Sequence, residues 1–146
     1  MDPLKLIALD TDDLEVISTH LQDAVVNVAD IVWLRSEKRV VLALNRFDWE
    51  AASGDDPQYQ RRRTALRFER VNGVKCRNVQ PKDKDAVLNL LSVEFQAADP
   101  PAGVVVLTFA GGAALRLEVE CLEAEIADLG PAWTTKLCPA HAVEQV

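Results

Sequence analysis

Apolar and polar residues alternate with a period of two along most of this chain, and departures from that period mark its turns and helices. Residues 4–9 (LKLIAL) alternate weakly and predict a short strand. Asp10 and Thr11 then offer N-caps, and Asp12 and Asp13 place acids in a first turn. Leu14, Ile17 and Leu21 follow at spacings of three and four, so residues 12–22 predict a short amphipathic helix. From Ala24 the period returns to two: residues 24–34 and 40–49 predict strands, joined through the polar residues 35–39. Val40, Leu42 and Leu44 share one face whereas Phe47 and Trp49 fall on the other, which places a bulge or bend near Asn45. Residues 51–60, with Gly54, Asp55, Asp56 and Pro57, have no period and predict a mobile loop.

Asn72-Gly73 lies between β-rich runs, and both residues tolerate the positive φ of a type I′ turn. A two-residue loop there would set Val71 opposite Val74, Arg70 opposite Lys75, Glu69 opposite Cys76, Phe68 opposite Arg77 and Leu66 opposite Val79. Residues 86–97 fit a helix through Leu88, Leu91 and Phe95, or a strand through Leu91, Val93 and Phe95; strands on both sides favour the strand. Residues 99–103 (DPPAG) form a turn. Residues 104–110 and 113–119 then pair across Gly111-Gly112, with Val104/Val119, Val106/Leu117 and Thr108/Leu115 on one face. Val119, Leu122, Ile126 and Leu129 recur at helical spacing, so a C-terminal helix is expected, stopped by Gly130-Pro131 with Trp133 packed at its end.

These elements predict a mostly antiparallel α+β fold in one domain over residues 1–146, with a tail from 132 to 146. A short strand and helix would lead into a curved meander of about seven strands, capped by the C-terminal helix. In element order the chain resembles pleckstrin-homology-like domains, which implies a fold and no function. The stretch FAGGAALRLEVECLEA from Phe109 to Ala124, with Asp128-Leu-Gly and Trp133 beyond it, resembles a family of small, functionally uncharacterised alphaproteobacterial proteins. That family implies no activity and no site residues.

Composition narrows the picture. At 146 residues the chain can bury roughly two-thirds of its unfolded surface. Aromatic residues make up only 5%, so Val, Leu, Ile and Ala must build the core, with Trp33 and Trp49 joining it. The longest apolar runs, residues 31–34 and 103–107, fall far short of the roughly 18–20 residues that span a bilayer. The first residues lack the pattern of a signal peptide, and the three cysteines are widely spaced, so a cytoplasmic protein with reduced thiols is expected. Cys76 and Cys121 sit at apolar-patterned positions and predict small core residues.

Net charge is −7, but it is polarised. Residues 60–84 carry nine cations (Arg61, Arg62, Arg63, Arg67, Arg70, Lys75, Arg77, Lys82 and Lys84) against Glu69 and Asp83, net +7. The other 121 residues carry seven basic and 21 acidic side chains, net −14. The first seven of those cations are the candidate binding residues. In the expected hairpin Arg70 faces Lys75, a like-charge pair costing up to about 1 kcal/mol unless an acid or an external anion offsets it. Solvation and intramolecular acids would account for the run as well as an anionic partner would. The partner, if external, is an acidic protein surface or a small phosphate-bearing ligand. Double-stranded nucleic acid fits poorly, since few aromatics interleave the cations and the acidic remainder repels a polyanion.

No other motif carries chemistry. Cys138-Pro-Ala-His141 supplies half a zinc site, and His20 and the remaining cysteines are isolated, so no metal or cofactor is expected. Gly111-Gly112 lacks the Lys-Ser/Thr of a phosphate loop. Asp12-Asp13 and Asp55-Asp56 fall in a cap and a loop. The function class left standing is a non-enzymatic binding or interaction module, with a strand edge or the helix as the place where two copies would pair. A small enzyme without a sequence signature and a structural accessory protein are the alternatives.

Overall fold

The fold is described from a computed structural model, over residues 3–135, 138 and 139. Strand β1 (Lys5–Ala8) leads into helix α1 (Thr11–Leu21), whose first turn is capped by Asp10 accepting from the Asp13 N–H at 2.8 Å. Leu14, Ile17 and Leu21 form its buried stripe, as their spacing predicts. Strands β2 (Ala24–Leu34) and β3 (Arg39–Phe47) follow, joined by a short 3₁₀ turn. A one-turn helix, α2 (Trp49–Ala52), takes the last residue of the run expected to be strand and the first two of the expected loop. Then come β4 (Gln60–Phe68), β5 (Val71–Arg77), β6 (Val87–Ala97), β7 (Gly103–Phe109), β8 (Ala114–Val119), β9 (Ala124–Asp128) and β10 (Trp133–Thr134).

All ten strands belong to one antiparallel sheet, ordered β1-β9-β4-β3-β2-β6-β7-β8-β5, with β10 alongside β4. Two meanders, β2–β3–β4 and β6–β7–β8, are joined where β2 meets β6. The sheet is strongly bent. At about 4.8 Å per strand, a flat sheet would hold β3 and β5 about 24 Å apart. Yet the Val71 N–H, at the start of β5, donates to the carbonyl of Lys38, just before β3, at 2.9 Å. The bend brings one face of both halves around a single core that also takes in the apolar stripe of α1. Ser18 of that helix fastens it to the sheet by accepting from the Val93 N–H at 2.9 Å.

Several expectations are corrected. The C-terminal helix expected through Val119, Leu122, Ile126 and Leu129 does not form: residues 124–128 form β9, paired on one side with β1 and on the other with β4. Leu122, Ala124 and Ile126 are buried at period two, while Leu129, the residue needed to complete a helical stripe, is 59% exposed. The element order behind the pleckstrin-homology-like resemblance goes with it, and half-exposed Trp133 lies in β10 with no helix end to pack on.

Asn72-Gly73 makes no turn. Both lie inside β5, which pairs with β8 at the sheet edge, so β4 and β5 form no hairpin; the chain only bends at Glu69-Arg70, with Arg70 at φ 60°, and runs on along β8 in the sense in which β4 runs along β9. Lys75 accordingly faces Arg116 and not Arg70. The β7–β8 hairpin forms, but its loop spans three residues, Ala110–Gly112, so the register moves by one. Val105/Leu117 and Leu107/Leu115 face the core together. Finally, Cys76 is exposed near the end of the edge strand and Cys121 is half-buried. The irregularity expected near Asn45 lies in its partner strand: the β2–β3 register shifts between Val26 and Ile31.

Candidate functional site

Along β3 the side chains turned to the core are Val40, Leu42, Leu44 and Arg46; along β4 they are Phe68, Leu66, Thr64 and Arg62, directly opposite in that order. Strand alternation thus carries the inner face from apolar to polar at one end of the sheet. Arg46 and Arg62 are the last facing pair, and their side chains are only 4% and 5% exposed.

Two aspartates neutralise them. The side chain of Asp128, at the end of β9 and opposite Thr64, is fully buried. Its Oδ1 accepts from Arg46 Nε at 2.9 Å and Thr64 Oγ1 at 2.7 Å; its Oδ2 accepts from Arg46 Nη2 and the Leu4 N–H, both at 2.8 Å. Burial by itself pushes this carboxyl pKa upward. The hydrogen bonds from Arg46, Leu4 and Thr64, with the Arg46 charge, outweigh it and hold the group below the ordinary aspartate value. Asp48, which follows β3 and caps α2 through the Ala51 N–H at 3.1 Å, accepts from Arg62 Nε at 3.1 Å. Asp128 Oδ2 stands 3.9 Å from the same nitrogen.

Arg62 is the outer member of this cluster. It lines a cleft of about 780 Å³ together with Asp128, Gln58, Gln60 and the segment from Leu129 to Ala132. Only its Nε donates; among the described residues neither Nη nitrogen has a hydrogen-bond partner. β10 holds one wall of the cleft in place by pairing Trp133 with Arg61 and Thr134 with Gln60. The opposite wall is carried by the return of the chain from α2, fixed by the Gln58 N–H to Ala51 carbonyl bond at 2.7 Å.

The seven candidate cations do not share a surface. Arg62 is buried within the sheet's inner layer, whereas Arg61, Arg63 and Arg67 alternate onto the other face of β4. Arg61 donates to the Asn45 carbonyl at 3.1 Å and lies 5.8 Å above the Phe47 ring; burial lowers its pKa, against the opposing charge of Asp23. Arg63 pairs with Asp30 at 3.1 Å, and Arg67 with Glu69 at 3.0 Å and Glu125 at 3.3 Å. Arg70 lies 3.7 Å from Glu123 and Lys75 3.3 Å from Glu118, both at exposed positions. Arg77, at the end of β5, forms no ion pair among the described residues. Intramolecular acids therefore answer most of this positive run.

The cleft also contains what the basic run did not point to: Gln58, Gln60 and Asp128, with Arg46 and Asp48 behind them. The signal for the arginines was parity, since Arg46 shares a strand face with Leu42 and Leu44, and Arg62 with Leu66 and Phe68. No cluster of His, Cys, Asp and Glu able to hold a metal ion occurs among the described residues; His141 of the half zinc motif lies outside them. No helix among the described residues is long and apolar enough to cross a membrane.

Comparison with known proteins finds no match among curated proteins and none among solved structures. One family model, described as "Protein of unknown function (DUF2948)", matches residues 4–141, nearly the whole chain, from β1 past β10. The chain therefore belongs to the DUF2948 family.

Proposed function

We propose that this protein is a non-enzymatic binding module whose cleft takes a small ligand by an anionic head group, a phosphate or a carboxylate, set against Arg62. The observation that carries the proposal is the state of that side chain. It is 95% hidden, lines an open cleft, and spends one of its five N–H donors on Asp48. A guanidinium fork held in this way presents parallel donors to an oxyanion, the geometry that makes arginine a bidentate anion receptor. Gln58 and Gln60 add amide donors beside it. The cleft volume of about 780 Å³ falls within the usual range of small-molecule sites.

Asp128 supports binding over acid–base catalysis. Its oxygens already accept four hydrogen bonds, and its lowered pKa keeps it ionised at neutral pH, so it has no proton to give and little basicity to offer. The net charge of −7 disfavours a long polyanion such as duplex nucleic acid.

Calorimetric titration with inorganic phosphate and with succinate tests the proposal. Half-buried Gln60 lines the cleft, so Gln60→Glu sets a carboxylate near Arg62 without removing either partner of the Asp48 pair. Saturable binding of at least one anion is expected, weakened about tenfold or more by Gln60→Glu, the equivalent of about 1.4 kcal/mol. The triple variant Arg70→Gln/Lys75→Gln/Arg77→Gln should bind as the parent does. Failure of both anions to bind, or an affinity indifferent to Gln60→Glu, would overturn it.

A further inference from the structure

A second cavity, sharing no residue with the Arg62 cleft, has a different chemistry. The β2–β3 register shift between Val26 and Ile31 bends β2 away from its partner, and the Val28 N–H turns to the Ala86 carbonyl at 2.9 Å. Because the sheet curls, edge strand β5 comes to face this bend. The space left between them measures about 270 Å³ and is walled mainly by Val28, Ile31, Trp33, Val74 and Leu115. Two cations, Arg35 and Lys84, also line it; both are exposed, and neither forms an ion pair or side-chain hydrogen bond among the described residues. Glu37, Asp83 and Asp85 are near them in sequence but pair with neither.

We propose that this cavity binds a small aliphatic monocarboxylate, its chain between β2 and β5 and its carboxylate at Arg35 and Lys84. Apolar walls of this extent take up apolar guests. At roughly 30 Å³ for each water-sized group, there is room for about nine such groups, the size of a medium-chain acid. Apolar walls supply the affinity, and the two unpaired cations select an anionic end over a neutral one.

The probe is octanoate, with octan-1-ol as its uncharged counterpart. Binding is followed by calorimetry and by the rate at which N-ethylmaleimide alkylates Cys76, a lining residue, resolved by mass spectrometry from Cys121 and Cys138. Octanoate should bind saturably in the millimolar range or below and slow Cys76 alkylation severalfold. Arg35→Gln/Lys84→Gln, both at exposed positions, should weaken octanoate about tenfold and leave octanol unchanged. Val74→Trp, which fills the cavity, should abolish protection of Cys76 by either compound. The proposal is overturned if octanoate does not bind, if octanol binds equally well, or if the double variant keeps the parent affinity. The Gln60→Glu variant should bind octanoate normally, which separates this site from the Arg62 cleft.

Discussion

Arg46 and Arg62 face each other directly across β3 and β4 while both are almost completely buried. Two like charges so placed in a sheet repel. They coexist because Asp128 takes Arg46 by a two-bond fork and Asp48 takes Arg62 through Nε. The group is balanced two against two, so each aspartate is needed for the other half to remain inside.

Asp128→Asn removes one charge from that balance. Two buried guanidiniums would then share a single carboxylate, and the cost of breaking such a pair is about 3–5 kcal/mol. Urea unfolding followed by fluorescence would register it as a lower midpoint at unchanged slope. A loss under about 1 kcal/mol would mean that the cluster is not held as described.

Acid should act through the same residue. The Asp128 pKa is lower folded than unfolded, so its contribution is complete above the unfolded value, about 3.9, and disappears as pH falls through the folded one. Stability measured from about pH 5 down to about pH 2 should therefore fall more steeply in the parent than in Asp128→Asn. Parallel curves would contradict this.

Two glycines test the strand assignments. A Cβ on Gly103 would lie 2.5 Å from the Gln96 carbonyl oxygen and 2.6 Å from Phe95 Cζ, so Gly103→Ala should cost about 1–3 kcal/mol. At Gly73, whose φ is not left-handed, the nearest atom is the mobile Glu118 Oε2 at 3.0 Å. Gly73→Ala should stay within about 0.5 kcal/mol of the parent. Were residues 72–73 a type I′ turn, positive φ would penalise alanine there.

Ile126 and Leu129 separate strand from helix at the C-terminal end. Ile126 is fully buried and Leu129 is 59% exposed. Ile126→Ala should cost about 2–5 kcal/mol and Leu129→Ala under about 0.5 kcal/mol. Comparable losses at both would restore the helical stripe.

Elements whose signals were local were readable from the chain. The Asp10 cap, the Leu14-Ile17-Leu21 stripe and the runs of β2 and β3 needed no distant partner to declare themselves, whereas β6 fitted helix and strand alike and was read from its neighbours. The errors came where a distant strand decided. Leu122 and Ile126 satisfy both periods, and β9 is a strand because β1 and β4 flank it. Asn72-Gly73 carries turn chemistry, but β8 offers a ladder that absorbs it. The cleft was half legible: Arg62 was among the candidates for its charge, whereas its setting depended on parity with Leu66 and on Asp128, 66 positions further along the chain.

The most direct test of the anion cleft is residue-resolved. Amide and arginine side-chain NMR spectra of the isotopically labelled protein would be recorded during titration with inorganic phosphate and then succinate. Saturable shifts are expected, confined to Arg62 Nη, Gln58, Gln60 and the amides of Leu129, Gly130 and Ala132. Shifts centred on Arg70, Lys75 and Arg77 with the cleft unmoved, or no saturable shift with either anion, would contradict it.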